Sequence, residues 1–301
     1  MICESPEMKR VMDIALKAAK SNAPILLVGE TGVGKEIIGD FIHQNSNRKN
    51  NPIVKINCAS IPKELVESEL FGNVKGAFTG AIMSREGLFK HAEGGTLLFD
   101  EIGELSTTCQ AKLLRVLQGG DYRKVGSILE QKADCRIISA TNINIEESLK
   151  NNKLRNDLLH RLSVITINIP KLKDRKEDIP AFISYFIEKY SKEEKKEGIS
   201  ISQDALEYLK TREWKGNVRE LENEIRKAII LADDRILNKK QFSLLNDYSL
   251  DFKGFSNMEL AEKDVIVNAL KMYNGNKKRA AKYIGIARYT LRRRMIEYKI
   301  I

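Results

Sequence analysis

Residues 29–35, Gly29-Glu30-Thr31-Gly32-Val33-Gly34-Lys35, lie between an apolar run, Pro24 to Val28, and an amphipathic stretch from Lys35 to Gln44. The order is strand, glycine loop, helix, with the spacing G-x-x-x-x-G-K. Few folds accept that order. The apolar run needs cover on both faces, as a strand of a parallel sheet has. The glycines let backbone N–H groups curl around phosphate oxygens, and the helix N-terminus adds its positive dipole. The Lys35 ammonium would reach the terminal phosphates. The general pattern continues with Ser or Thr as a Mg2+ ligand, whereas this chain has Glu36.

The alternation continues downstream. Ile53 to Ile56, Arg136 to Ala140 and Val164 to Ile169 read as strands, and Thr96 to Phe99 as a buried one. Pro62 to Leu70 and a stretch from Ser106 to Leu117 read as helices, with Ser106 as cap. Upstream, Ser5-Pro6 reads as an N-cap followed by a first-turn proline, opening a helix to about Lys20. This predicts an α/β core with a parallel sheet covered on both faces. Beyond Asp178 the strand signals stop. Ile179–Tyr190, Gln203–Thr211 and Val218–Ala232 read as a helical lid, and residues 258–301 as a separate helical module. The expected boundaries are 1–172 for the core, 173–241 for the lid and 242–257 for a linker.

Hydrophobic residues make up 42% and charged residues 31% of the 301, a globular balance with no apolar run of membrane-spanning length. Cys3, Cys58, Cys109 and Cys135 form no C-x-x-C pair, and His43, His91 and His160 share no ligand spacing. A disulfide framework or zinc site is not expected, and a reducing cytoplasm fits. Residues 257–301 hold eleven Lys or Arg against four acids, a net +7. Such a module is a nucleic-acid footprint, although a charge run can also be a solvated face. Within it, Ile284, Ile286 and Leu291 would bury one face and Gly285 would make the turn of a helix-turn-helix. Arg288, Tyr289, Thr290, Arg292 and Arg293 would then face a major groove. Lys277, Lys278 and Arg279 suit phosphates.

Two further segments narrow the reading. Leu97-Leu98-Phe99-Asp100-Glu101 is an apolar strand that ends in two acids, which suits a metal-side ligand followed by a base for water. Gly76-Ala77-Phe78-Thr79-Gly80-Ala81 reads as a loop tip whose aromatic has nothing local to pack on. With the preceding Glu69-Leu70-Phe71-Gly72-Asn73-Val74-Lys75 it closely resembles the signature loop of bacterial activators of sigma-54 RNA polymerase, the NtrC-type enhancer-binding proteins. These are AAA+ ATPases.

The resemblance runs from about Ser5 to Lys299 and carries expectations with it. The family has Glu at the place of Glu36. It implies ATP and Mg2+ as cofactors, with Asp100 on the metal and Glu101 as base. It extends nucleotide contact along Ala92-Glu93-Gly94-Gly95-Thr96 and through Leu97, Leu98 and Phe99 to the two acids. Thr141 or Asn142 would be the sensor at the end of the Arg136 strand. Asn57 would restrain Glu101 until the partner loop engages. Leu154-Arg155-Asn156-Asp157-Leu158-Leu159-His160-Arg161-Leu162 resembles the arginine-finger segment F-R-x-D-L-Y-Y-R-L, with Leu154 for Phe and Leu159-His160 for the aromatic pair. Trp214-Lys215-Gly216-Asn217-Val218-Arg219-Glu220-Leu221 resembles the lid's W-P-G-N-V-R-E-L, with Arg219 reading the nucleotide and Lys215 in place of Pro. The C-terminal module resembles the Fis-type motif.

On that resemblance the partners are sigma-54 polymerase, touched by Gly76 to Ala81, upstream promoter DNA, and further copies in a hexameric ring. About 23 residues precede the first strand, too few for a receiver or ligand-sensing domain. Control by a regulator protein in trans, as in the phage-shock activators, or a truncated form would follow. A remodelling ATPase unconnected with transcription, and a DNA-binding regulator with a silent ATPase, fit only parts of the motif set.

Overall fold

The computed structural model describes residues 2–242, except 143–144, 146–150, 152, 197 and 233. It also describes residues 266–267, 269–270, 272–273, 275–286, 288–298 and 300. Contacts divide the chain into Met1–Lys239 and Lys240–Ile301. Most of the expected linker, residues 243–257, lies outside the described residues.

The first unit is built on five parallel strands: β1 (Ile25–Val28), β2 (Ile53–Asn57), β3 (Thr96–Asp100), β6 (Arg136–Thr141) and β7 (Ile165–Asn168), in the order β2-β3-β6-β1-β7. The register sets Val28 beside Thr141 and Asn168, and Asn57 beside Asp100. The C-terminal ends of the strands therefore share one edge. Side chains alternate between faces, as strand period demands. Leu26, Leu97, Phe99 and Ile137 enter a core under helices α3 (Lys63–Phe71), α5 (Thr107–Gly119) and α6 (Asn156–Leu162). Ile25, Leu27, Leu98, Ile138 and Ile167 enter the opposite core, under α1 (Pro6–Ala19) and α2 (Lys35–Gln44). A short α4 (Leu88–His91) lies between α3 and β3.

The helix starts follow their caps. The Ser5 hydroxyl accepts from Met8 N with Pro6 in the first turn, and the Ser106 hydroxyl accepts from Cys109 N. The end of α1 is held from a distance. Arg136, 1% exposed, donates to the Ala19 and Ala18 carbonyls at 3.0 and 2.7 Å, closing orphan acceptors of the last turn.

The lid comprises α7 (Ile179–Glu193), α8 (Gln203–Thr211) and α9 (Asn217–Ile230), and α7 packs on α9. Its helical reading needs one correction. Two short strands, β8 (Ser200–Ile201) and β9 (Ile236–Leu237), pair in parallel inside it, too short to leave a period. A hairpin of β4 (Asp121–Arg123) and β5 (Glu130–Lys132) also escaped the sequence pattern.

In the second unit, α10 (Lys277–Ile284) and α11 (Arg288–Glu297) are joined through Gly285 at φ 80°. Ala280, Ala281, Leu291, Met295 and Tyr298 are buried between them, flanked by Ile284 and Ile286. This is the expected helix-turn-helix core.

Candidate functional site

The glycine loop leaves β1 at the C-terminal edge of the sheet and enters α2 through Gly34. Lys35 turns back across it. Its ammonium donates to the carbonyls of Gly29 (2.9 Å) and Glu30 (3.2 Å) and stands 3.9 Å from Glu101 Oε1. Burial holds Lys35 below the usual lysine range, and the Glu101 and Asp100 carboxylates oppose that shift. Burial likewise raises the Glu101 carboxyl, against Lys35 and the Asn142 N–H. A buried ammonium and a half-buried carboxylate thus face one small space.

Glu101 occupies a left-handed backbone position, φ 53°, which is uncommon for a residue with a side chain. The turn directs its carboxylate to the Asn142 N–H, 3.2 Å from Oε2. Asn142 also donates from its side chain to Thr31 Oγ1 at 3.2 Å. Of the two sensor candidates, Asn142 is exposed and touches both the loop and Glu101. Thr141 is buried in β6, where its carbonyl accepts from Gly29 N. Asn57 does not reach Glu101. Its amide donates to Asp100 Oδ2 at 3.4 Å, as the β2–β3 register dictates, and its Oδ1 accepts from Ala59 N.

Ala92–Thr96 lie toward the end of β3 away from Asp100. The strand advances about 3.3 Å per residue, so Thr96 lies about 13 Å from Asp100, at the opposite edge. Leu97, Leu98 and Phe99 are buried in the two cores. Thr96 is buried against His43, and Gly94 N donates to the Asp134 carbonyl. Glu93 pairs with Lys90 at 2.5 Å. These residues fix the strand that delivers Asp100 and Glu101. Glu36 is held sideways: Lys55 binds its carboxylate at 2.9 Å and that of Asp40 at 2.8 Å.

The lid meets the glycine loop directly. A Cβ on Gly32 would stand 2.2 Å from the Gly216 carbonyl and 3.1 Å from Arg219 Cβ. Arg219 is exposed beside this contact. Next to Val33 and Gly34 opens a mainly apolar cavity of about 460 Å³, walled by Met8, Ile37, Phe182, Phe186 and Val218 among others. It suits a flat heterocycle attached to the phosphates. Its walls come from four separate stretches of chain, so no motif announced it. Arg155, at the N-cap of α6, and Arg161, within it, are both exposed. Arg155 pairs with Asp157 at 2.7 Å, and neither arginine bonds the loop or the acid pair among the described residues.

Gly76–Ala81 forms a projection closed at its base by an Asn73–Arg85 bridge. Phe78 is 40% exposed, with Ile82 and Met83 exposed beside it. The β4–β5 hairpin grips this base. Val74 N donates to the Val125 carbonyl at 3.1 Å, Val125 N donates to the Gly72 carbonyl at 2.8 Å, and Gly126 lies against Ala77. The turn residues of this hairpin were the available signal in the sequence.

On α10 and α11, Arg279, Arg288, Tyr289, Arg292 and Arg293 are exposed, while Lys277 and Thr290 are half-buried. The side chain of Lys278 lies outside the described residues.

A family model for the sigma-54 interaction domain matches residues 1–168. The chain belongs to that sigma-54 interaction family. Models for an AAA+ ATPase lid domain and for the Fis family of bacterial regulatory proteins match residues 173–247 and 257–298. This sigma-54 family member is 41% identical to nitrogen fixation protein AnfA of Azotobacter vinelandii, over its whole length and 57% of AnfA. It is 39% identical to regulatory protein AtoC of Escherichia coli K12, over its whole length and 68% of AtoC. Among solved structures it resembles NtrX from Brucella abortus in complex with ADP, with TM-score 0.76 and 29% identity over 99% of this chain and 68% of that one. The ATP complex of NtrX gives a TM-score of 0.74. The fold is accordingly an AAA+ parallel-sheet core with a helical lid and a Fis-type helix-turn-helix.

Proposed function

We propose that this chain is a sigma-54-dependent transcription activator that hydrolyses ATP to remodel the closed polymerase complex. The observation that carries the reading is a juxtaposition within one unit. Lys35, Asp100, Glu101 and Asn142 converge on the glycine loop, and the same unit presents Gly76–Ala81 as an exposed projection. A match to the sigma-54 interaction family spans both.

In this reading ATP lays its base in the cavity beside Val33 and its phosphates against the loop N–H groups. Lys35 exchanges the Gly29 and Glu30 carbonyls for the terminal phosphates. Glu101, set by the Asn142 N–H, accepts a proton from the attacking water. Among the described residues no group of three or more His, Cys, Asp or Glu gathers for a metal, so Mg2+ fits here as a companion of the phosphates with Asp100 at its side. When bound it would neutralise phosphate charge. Asn57 acts on the acid pair through Asp100, and Arg219 approaches the phosphates from the lid.

Arg155 and Arg161 are exposed and apart from the site of their own chain, which suits fingers offered to a neighbour in a hexameric ring. The hydrolysis cycle moves Phe78 and Thr79 against sigma-54. The helix-turn-helix holds upstream DNA, with Arg288, Tyr289, Arg292 and Arg293 facing a major groove and Lys277, Lys278 and Arg279 on phosphates. A regulator protein acting in trans and a cytoplasmic setting complete the proposal. No described helix is long and apolar enough to cross a membrane.

The test is ATP-dependent open-complex formation with sigma-54 polymerase, comparing the protein with Thr79→Ala and Glu101→Gln. Open complexes should form with the unaltered protein and fall sharply in both variants. ATP turnover without open complexes in that protein would defeat the transcriptional reading. No turnover at all would favour a DNA-binding regulator with a silent ATPase.

A further inference from the structure

A phosphate loop that turns its N–H groups inward turns its carbonyls outward, and buried carbonyls need donors. In this chain two of those donors are side chains from the lid and its approach. Asn217 Nδ2 reaches the Thr31 carbonyl at 3.1 Å, and Arg175 Nη2 reaches the Val33 carbonyl at 2.6 Å.

Asn217 is the more telling of the two. It is fully buried and left-handed, φ 54°, at the first position of α9. Its side chain joins three elements. Oδ1 accepts from Leu172 N at 2.9 Å, where the chain passes from core to lid. Nδ2 donates both to the Thr31 carbonyl and to Glu30 Oε2, the latter at 3.2 Å. Glu30 is ready to accept: Lys171, 2.5 Å away, and then Asn217 itself hold its carboxyl below the usual carboxylate range. Both amide protons and the oxygen are therefore engaged.

We propose that Asn217 is a positioning residue that pins the lid to the backbone of the phosphate loop, so that lid angle sets loop shape. This rests on the nucleotide reading above and adds a second coupling to it. Arg219 would sense the phosphates themselves. Asn217 touches the cradle and the Leu172 N–H, not the phosphates, so it acts whether or not a nucleotide is bound.

The test is equilibrium binding of a fluorescent ATP analogue with Mg2+, together with kcat and KM for ATP, on the full chain. Asn217→Gly keeps the left-handed backbone and removes the pin. Losing hydrogen bonds of this kind, one of them to a charged acceptor, should weaken analogue binding about tenfold. KM should rise with it while kcat holds. Asn217→Asp keeps the Leu172 bond but sets a carboxylate against Glu30, and should bind at least as weakly. Adding Glu30→Gln supplies a donor from the other side, so part of the affinity should return, which general loss of packing would not allow. Unchanged binding in Asn217→Gly, or a double variant no better than Asn217→Asp, would overturn the pin. If the unaltered protein bound no analogue, the nucleotide reading and the pin would fall together.

Discussion

At the glycine loop, Gly32 is hemmed in by the lid, and a Cβ there would meet the Gly216 carbonyl at 2.2 Å. At the projection, Gly76 and Gly80 have nothing within 4 Å of where a Cβ would stand. Both segments are glycine turns with positive φ, yet their surroundings oppose each other. The first is held by side chains from α2, from Asn142 just past β6, and from the lid. The second closes on its own backbone, through Gly76 N to the Ala81 carbonyl (2.8 Å) and Ala81 N to the Phe78 carbonyl (3.0 Å). Close approach fixes Gly32, whereas conformational freedom alone explains Gly34, Gly76 and Gly80. A site that stabilises charge gains from being fixed in advance. The movement proposed for the second segment is served by a tie only at its base.

The contrast breaks most visibly at Glu101. Glu101→Gln should lower ATP turnover by about 10²–10⁴-fold, the usual span for a lost general base, with analogue binding retained. Phosphate release and analogue fluorescence separate the two effects. Equal loss in both would mean that Glu101 serves binding.

Thr79→Ala should do the reverse. Turnover should hold, while the loop–partner contact loses about 2 kcal/mol, roughly thirtyfold in affinity, if Thr79 is a contact hot spot. Open-complex assays at fixed ATP read this directly. A fall in turnover matching the fall in open complexes would erase the distinction between the two regions.

Gly126→Val tests what ties the projection down. Its Cβ would stand 2.7 Å from Ala77 Cβ and 3.1 Å from Val74 Cγ2, an overpacking of about 1–3 kcal/mol placed on the hairpin contact. Open-complex yield should drop several-fold, by less than in Thr79→Ala, and turnover should not change. An effect on turnover alone would assign the hairpin to the nucleotide site.

These regions were unequally legible in the sequence. The strand–glycine loop–helix order located the edge where Lys35, Asp100 and Glu101 meet, because a parallel sheet delivers all its strand ends to one side. The caps at Ser5 and Ser106 could be read because capping is local. The extension of nucleotide contact along Ala92–Phe99 follows a motif that is contiguous in sequence, while a strand carries its earlier residues away from the edge where Asp100 lies. Asn57 fell on Asp100 because register, which no single strand reveals, chose its neighbour. Asn217 and the cavity beside Val33 are assembled from distant stretches, so only the folded chain brings their parts together. The hairpin of β4 and β5 has three-residue strands, too short for periodicity to register.

The smallest expected effect concerns the cost of holding Glu101 ready. Burial raises its carboxyl above the usual range in the folded protein, even with Lys35 nearby. Between the ordinary carboxylate pKa and that raised value, the folded state binds more protons than the unfolded state, so stability falls as pH rises. Above the raised value the penalty is constant. Glu101→Gln removes the ionisation. The unliganded variant should therefore melt higher than the unaltered protein at pH 7–8. The gap should close as pH falls towards the ordinary carboxylate range, where both side chains are neutral. Thermal melts across pH read this. A gain that persisted in acid would trace to packing. No gain at any pH would mean that the Lys35 ion pair already offsets the burial of Glu101, and that the nucleotide edge is fixed without loss of stability.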